Sequence, residues 1–204
     1  MKYFNQRPDA ATGTTTAMKK QKVYVVTIDD VFDWDKEYHQ PKVFSKKESA
    51  IRYIKKSYEE INDVCYEYND NNYIFDYEDG CCYACIYDDG RWAITHWEIK
   101  INECEIDNVP KNRTDMGKEV YVVTIDDVVD WNKEYHQPRV FSKREDAIKY
   151  FKESYEEVKN ECDEDRYIFE YDEGCNTACI YDDGRWTSDH WEIEINVCEI
   201  DNID

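Results

Sequence analysis

Two acidic segments of the chain have a spacing that could begin a calcium-binding loop. Oxygen-bearing side chains alternate in "DWDKE" and again in "DWNKE": Asp33, Asp35, Glu37, Asp130, Asn132 and Glu134. An EF-hand loop also needs glycine at its sixth position, but Tyr38 stands there when the loop begins at Asp33. We therefore interpret both segments as solvated acidic loops and expect no metal ion in them.

Cysteines are the second candidate for chemistry, because thiolates bind zinc and attack electrophiles. Cys81 and Cys85, like Cys175 and Cys179, are four residues apart. On one face of a strand this spacing separates the two thiols by about 13 Å, which is too far for a single zinc ion. A nucleophilic pair of Cys85 with His96 is disfavoured, because the thiol belongs to an apolar strand. We expect no catalytic residue, no metal and no cofactor.

The acidic segments belong to a longer stretch that occurs twice. "VYVVTIDDVFDWDKEYHQPKVFS" begins at Val23, and "VYVVTIDDVVDWNKEYHQPRVFS" begins at Val120. The duplication predicts two tandem homologous domains of about 90 residues each. The predicted organisation is a flexible N-terminal extension over 1–21, a first repeat domain over 22–108, a linker over 109–118 and a second repeat domain over 119–204.

Each copy predicts the order strand, short strand, helix and three further strands. Val23 to Ile28 is apolar on both alternating faces, as a central strand would be. The segment "DDVFDWDKEYHQP" predicts an irregular acidic loop. Capping boxes then begin an amphipathic helix, formed by Ser45 with Glu48 and by Ser142 with Glu145.

The three strands after the helix are separated by Asp-Gly turns at Asp79-Gly80 and Asp89-Gly90. In the last strand the apolar alternation shifts phase after Ile101, which predicts a β-bulge near Asn102. A helix packed on a mostly antiparallel sheet in each copy predicts an α+β fold made of two small domains.

The net charge of −21 comes from 47 acidic and 26 basic residues, and the acidic residues concentrate in the two copies. Such a surface repels nucleic acid and anionic membranes and attracts basic proteins. No apolar run approaches the roughly 20 residues of a membrane span, and the N-terminus lacks the apolar segment of a secretory signal. We therefore expect a cytoplasmic protein with reduced thiols.

These features favour an acidic, non-enzymatic protein that binds and inhibits a basic nucleic-acid-binding protein or nuclease. Phage-encoded DNA mimics and anti-CRISPR inhibitors act in this manner, and the analogy rests on charge and size. The expected contact residues are acidic loop residues and two tryptophans. They are Asp29, Asp30, Asp33, Trp34, Asp35, Glu37, Asp88 and Asp89 in copy 1, and Asp126, Asp127, Asp130, Trp131, Glu134, Asp182 and Asp183 in copy 2.

Two alternatives stay open on the sequence. One is an immunity or housekeeping interaction protein that recognises its partner by shape, with the negative charge as background. The other is a metal-binding protein or an enzyme of unrecognised type.

The duplication itself has a possible use in binding. Two copies in one chain would let weak contacts reinforce each other through effective concentration.

Overall fold

The structure is a computed structural model, and it describes residues 21–32, 35–67, 73–88, 96–107, 119–129, 132–163, 165–171, 174, 176–182 and 189–201. Copy 1 contains β1 (Gln21–Phe32), β2 (Asp35–Tyr38), β3 (Lys42–Phe44), α1 (Lys47–Glu67), β4 (Tyr73–Tyr77), β5 (Tyr83–Asp88) and β6 (His96–Asp107). Copy 2 contains β7 (Glu119–Val129), β8 (Asn132–Tyr135), β9 (Arg139–Phe141), α2 (Arg144–Glu161), β10 (Tyr167–Tyr171), β11 (Thr177–Asp182) and β12 (His190–Asp201).

The segment predicted as an irregular acidic loop is largely a β-hairpin. β1 continues to Phe32, and β2 pairs back against it with Asp29 opposite Tyr38. On its other side β1 pairs with β6, where Asp30 lies opposite Trp97. The loop prediction is wrong because pairing on both sides satisfies the backbone of the acidic residues, so the strand does not end where its apolar residues end.

The longest pairing in each copy is uninterrupted. β1 pairs with β6 in one constant antiparallel register from Gln21 opposite Ile106 to Val31 opposite His96. The bulge predicted near Asn102 is therefore wrong. The apolar residues of β6 change from one face to the other because its two ends are buried on opposite sides. Ile99 packs under the helix, whereas Cys104 lies in a second core.

That second core is the interior of a closed six-stranded barrel to which both copies contribute. β6 pairs in parallel with β9 through Ile106 opposite Val140, and β12 pairs in parallel with β3 through Ile200 opposite Val43. The order around the barrel is β3, β1, β6, β9, β7 and β12. The strands of the two copies thus form one continuous sheet.

This arrangement contradicts the predicted α+β fold of two separate helix-on-sheet domains. Strands predominate in the described part of the chain, and its two helices pack on the outside of the shared sheet. The local pattern does show strands and helices, but it does not show which strand edges pair. In an isolated copy β3 and the end of β6 would each expose an unpaired edge, and the other copy covers both.

The buried apolar residues form three clusters, one inside the barrel and one under each helix. The barrel interior holds Val23, Val25, Val43, Cys104, Ile106, Val120, Val122, Val140 and Cys198. On the outer face of copy 1, α1 packs Ala50 and Ile54 against Trp97 and Ile99. α2 packs Ala147 and Phe151 against the equivalent strands of copy 2. The apolar residues on both faces of β1 therefore serve two different cores.

One glutamine side chain of each copy donates a hydrogen bond to the backbone of the other copy. Gln40 Nε2 donates a hydrogen bond of 2.7 Å to the carbonyl of Val197 in β12. Gln137 Nε2 donates one of 2.8 Å to the carbonyl of Glu103 in β6. Each copy thus places the segment before its short barrel strand on the last strand of the other copy.

The same reciprocity holds for two buried thiols. Cys198 Sγ donates to the carbonyl of Pro41 at 3.3 Å, and Cys104 Sγ donates to the carbonyl of Pro138 at 3.3 Å. Each copy thus donates one thiol hydrogen bond to a proline carbonyl of the other copy. The repeated "HQP" sequence is therefore part of the joint between the copies.

The helices begin differently from the prediction. α2 has Lys143 as its N-cap, in an extended conformation with no side-chain capping bond. The hydroxyl of Ser142 instead donates to the carbonyl of Asp107 at the end of β6, at 3.3 Å. The capping box predicted for copy 2 is wrong, because Lys143 and not Ser142 stands at the N-cap.

Several sequence predictions concern other parts of the chain. Gly80 has φ +87 and follows Asp79 in a turn, as predicted. The Asp89-Gly90 turn, residues 1–20 of the predicted extension over 1–21, and the linker over 109–118 lie outside the described residues. The domain boundaries therefore stay predictions.

Neither helix in the described part of the chain combines the length and the apolar composition needed to cross a bilayer.

A shared barrel predicts that damage to one copy lowers the stability of both. Val140 is fully buried in the barrel, and Val140→Ala should lower the free energy of unfolding by about 2 kcal/mol. Denaturant titration followed by circular dichroism and tryptophan fluorescence should still show a single transition. Val197→Ala is the control, because Val197 is 41% exposed. Two resolved transitions, only one of them shifted, would contradict a shared core.

Candidate functional site

Each copy's sheet has one face that packs against its helix and one that does not. α1 packs on the face that presents Val26, Trp97 and Ile99. Strand alternation sends the intervening residues to the opposite face, which no helix covers among the described residues. We name this surface open face 1; its members are Asp29, Asp76, Tyr83, Cys85, Tyr87, His96, Glu98 and Lys100.

The equivalent surface of copy 2 is named open face 2. Its members, assigned by strand register, are Asp126, Glu170, Thr177, Cys179, Tyr181, His190, Glu192 and Glu194. Acidic and aromatic side chains predominate on both faces. Tyr83 and Tyr87 are among the large side chains most exposed to solvent.

Both open faces begin at the same rim of the barrel. β6 and β9 are parallel, while β1 is antiparallel to β6 and β7 is antiparallel to β9. β1 and β7 therefore run in the same direction, and both leave the barrel at their carboxyl ends. Asp29 shares the face of Val23 and Val25, so each open face continues the inner surface of the barrel.

Open face 1 contains two close contacts between polar side chains. Asp29 Oδ2 lies 2.8 Å from His96 Nε2, and Glu98 Oε2 lies 2.7 Å from Lys100 Nζ. The ammonium of Lys100 also lies 5.7 Å from the centre of the Tyr83 ring. Burial, followed by hydrogen bonds with Cys85 and Glu98, raises the pKa of Tyr83, so this phenol stays protonated.

Open face 2 has the same layout with a more acidic composition. Glu194 occupies the position of Lys100, and Thr177 occupies that of Tyr83. Tyr181 donates a hydrogen bond of 2.8 Å to Glu170 Oε1 on the neighbouring strand. The carboxylates of this face therefore lie on β10, β12 and β7, with β11 between β10 and β12.

The second aspartate of each "IDD" segment contacts a histidine on the helix-covered face. Asp30 Oδ2 lies 2.9 Å from His39 Nε2, and Asp127 Oδ2 lies 3.2 Å from His136 Nε2. In copy 2 the open-face pair is looser, with Asp126 Oδ2 4.0 Å from the nitrogen of its histidine. All four histidines thus lie beside an aspartate of the repeated dipeptide, a pairing that the sequence does not reveal.

The predicted contact residues fall into three groups. The carboxylates of Asp29, Asp30, Asp126 and Asp127 are mostly covered and contact histidines. Others lie in strands: Asp35 and Glu37 in β2, Asp88 in β5, Glu134 in β8 and Asp182 in β11. The rest are outside the described residues: Asp33, Trp34, Asp89, Asp130, Trp131 and Asp183.

Residues that sequence reasoning missed come from the last strands. Glu98, Glu192 and Glu194 alternate with the apolar residues of β6 and β12. The alternation in "HWEIKIN" and "HWEIEIN" was the available signal, because it places these charges on the face opposite the helix core.

Copy 2 also contains an arginine cluster without a counterpart in copy 1. Arg166 donates to Asp182 Oδ2 at 2.6 Å and to Asp189 Oδ2 at 3.2 Å, and Tyr167 donates to the same oxygen of Asp189 at 3.1 Å. The aspartate side chains are 4% and 6% exposed. Copy 1 has Asn72 at the position of the arginine. The cluster fastens the start of β10 to the start of β12.

Burial makes several of the described thiols poor nucleophiles. Burial raises the pKa of Cys104 to about 11 and that of Cys198 to about 12. Burial likewise raises the pKa of Cys65, Cys85 and Cys162. These thiols are therefore protonated near neutral pH and react slowly.

Two cysteine spacings bear on metal or redox chemistry. Cys81 precedes β5, so the prediction that Cys81 and Cys85 share one strand is wrong. Cys82 and Cys85 have the C-x-x-C spacing, which sequence reasoning overlooked. Cys82 lies in the bend before β5 and Cys85 lies within that strand. Among the described residues, no three His, Cys, Asp or Glu side chains are grouped to hold a metal ion.

No protein-family model, curated protein or solved structure matches the chain. Its function therefore has to be inferred from its own residues.

The buried thiols predict a loss of stability in alkali. Above pH 9 the unfolded chain releases thiol protons that the folded chain keeps until about pH 11 for Cys104 and about pH 12 for Cys198. Their contribution to stability is therefore complete below pH 9 and lost as pH rises to these values. Chemical denaturation at several pH values should show a shallower alkaline decline in a variant with both cysteines replaced by alanine. An unchanged slope would contradict the assignment.

The arginine cluster predicts a large effect of one surface substitution. Arg166→Ala leaves the covered carboxylates of Asp182 and Asp189 without their cation, so we expect a loss of about 2 kcal/mol in unfolding free energy. Arg144→Ala is the matched control and should change stability by less than about 0.5 kcal/mol. Equal effects of the two substitutions, measured by thermal and denaturant unfolding, would refute this role.

Proposed function

We propose that this protein is an acidic, non-enzymatic binding protein that engages a basic nucleic-acid-binding protein, such as a nuclease, and inhibits it. The observation that carries the proposal is the pair of open faces, both acidic and both beginning at one rim of a common barrel. A basic groove that normally receives nucleic acid is the complementary surface.

Charge supports this choice of partner. The chain carries a net charge of −21, and carboxylates recur along the strands of both open faces. Same-face positions on a strand are about 6.7 Å apart, close to the axial rise of two nucleotides in one strand of DNA, about 6.8 Å. Negative charge of this density speeds association with a basic partner and disfavours direct binding to nucleic acid or anionic membranes.

Aromatic residues supply contact area beside the charges. Tyr83, Tyr87 and Tyr181 lie on the open faces, and tyrosine buries a large area at a small cost in side-chain entropy. The combination of tyrosine with carboxylate suits a surface containing arginine and lysine. Trp34 and Trp131 stay in the proposal as candidate anchors on the sequence alone.

The fused barrel changes the role of the duplication. Two domains on a linker would gain affinity through effective concentration, at the cost of ordering the linker. Here the open faces belong to one sheet, so their mutual orientation is set before binding. Preorganisation lowers the entropic cost of engaging both faces at once.

The raised thiol pKa values are consistent with a role that needs no nucleophile. A cytoplasmic partner would suit reduced cysteines.

The proposal predicts that carboxylates of the open faces matter more than carboxylates elsewhere. A tagged full-length chain would be used to capture proteins from nuclease-treated lysate of a candidate host, with elution by a salt gradient. The supporting result is a basic nucleic-acid-binding protein that elutes at moderate salt, is displaced by added DNA or RNA, and loses activity when bound.

Matched triple variants separate the surface from the bulk charge. Glu170, Glu192 and Glu194 changed to glutamine should lower retention of that partner by about tenfold or more. Glu153, Glu156 and Glu157 on the exposed side of α2 provide a control with the same change in charge. A partner that resists salt and ignores nucleic acid would instead favour recognition by shape.

A further inference from the structure

The joint between the two copies is built from matching residues on its two sides. It comprises the parallel pairings of β3 with β12 and of β9 with β6, together with the glutamine and thiol hydrogen bonds beside them. Residues at corresponding positions of these contacts are identical in the two copies: Gln40 and Gln137, Pro41 and Pro138, Val43 and Val140, Cys104 and Cys198, Ile106 and Ile200.

The hydrogen-bond acceptors of the joint do not distinguish the copies either. Gln40 donates to the backbone carbonyl of Val197, and Gln137 donates to that of Glu103. Every residue has the same carbonyl acceptor whatever side chain it carries, so this difference in sequence leaves the hydrogen bond unchanged.

One contact of the joint differs in residue type but keeps its charges. Arg139 donates a hydrogen bond of 2.6 Å to Asp107 across the joint. The corresponding positions hold Lys42 and Asp201, again a cation and a carboxylate. A contact in which both partners offer the same groups is isologous, as in two-fold symmetric dimers of separate chains. Copy 1 of a second chain therefore offers copy 1 the same contacts that copy 2 offers it.

The joint is buried, so it has to be occupied. Val43, Val140 and Ile106 are at most 1% exposed. A copy without a partner would expose this apolar surface to water, together with the unpaired edges of its strands. Which copy occupies the joint depends on which copy is nearest.

Chain length decides which copy is nearest. Asp107 lies opposite Phe141, which lies opposite Tyr121, so the end of β6 and the start of β7 are two strand spacings apart, about 10 Å. The eleven residues 108–118 connect them in sequence, and a chain of this length reaches about 40 Å when extended. The other copy of the same chain is thus present at an effective concentration on the order of millimolar.

We propose that the joint is a docking surface for a second copy of this chain, and that either repeat of one chain pairs with either repeat of another. In dilute solution the connection through residues 108–118 favours pairing within one chain. Where that connection is cut or too short, pairing between chains takes its place. Two chains that exchange copies form a dimer with two barrels and four open faces. The proposal concerns assembly and does not depend on the proposed function.

Cutting the chain between the copies tests whether the joint distinguishes them. A protease recognition sequence in place of residues 110–115 allows the folded full-length chain to be cleaved, and the two halves should stay associated in native mass spectrometry. The halves are then unfolded in urea and refolded together. Complexes of copy 1 with copy 1 and of copy 2 with copy 2 should appear beside the mixed complex, nearly in the proportions of random pairing. Separated halves, or mixed complexes alone, would overturn the proposal.

Shortening the connection tests the same surface in an uncut chain. Deletion of residues 108–118 joins Asp107 to Glu119 through one peptide unit of about 3.8 Å, which is too short to span about 10 Å. Light scattering should then report a doubling of the mass, with the circular dichroism spectrum retained. Deletion of residues 112–116 alone is the control and should leave a monomer, because six residues still reach about 23 Å. A monomer after the complete deletion, folded or unfolded, would contradict the proposal.

Variants of the joint show whether it holds that dimer together. In the chain lacking residues 108–118, Gln40→Ala combined with Gln137→Ala removes the reciprocal hydrogen bonds and should raise the dimer dissociation constant at least about tenfold. Asn160→Ala, which removes an exposed amide of α2, is the control and should leave the constant unchanged. Equal constants for the two variants in analytical ultracentrifugation would mean that the chains associate through another surface, and the proposal would be wrong.

Discussion

The fold depends on two short parallel pairings that no single copy can make. β6 pairs with β9, and β12 pairs with β3, over two residues each. These pairings close the barrel and bury its valine and cysteine interior. Without them, β3 and the end of β6 would present unpaired backbone groups, and the apolar inner face would meet water. The helices, the long hairpins and the open faces are all positioned by this closure.

Local structure was predictable because it depends on neighbouring residues. The apolar run of β1, the amphipathic helices and the turn at Gly80 follow from spacing and turn chemistry. The barrel was not predictable in this way, since it depends on pairing between residues far apart in the chain. Two sequence features are related to the barrel: the apolar residues on both faces of β1, and the shift of the apolar alternation in β6 near Asn102. A bulge explains that shift equally well in the sequence alone.

The candidate site was only partly predictable for a related reason. Acidic residues are visible in the sequence, but whether a carboxylate faces a partner or a histidine depends on strand register. Asp29 and Asp127 lie beside histidines, and Asp182 lies beside an arginine. The glutamates of β12, by contrast, follow an alternation that the sequence itself shows.

The reciprocal joint also separates what the two copies must share from what each may change. Every barrel residue of copy 1 has an identical counterpart: Val23 and Val120, Val25 and Val122, Val43 and Val140, Cys104 and Cys198, Ile106 and Ile200. The open faces differ in composition: Tyr83 and Lys100 of copy 1 stand where copy 2 has Thr177 and Glu194. A duplicated gene with this architecture can therefore diversify one face while the other stays constant. Substitutions on an open face leave the barrel residues that join the two copies unchanged.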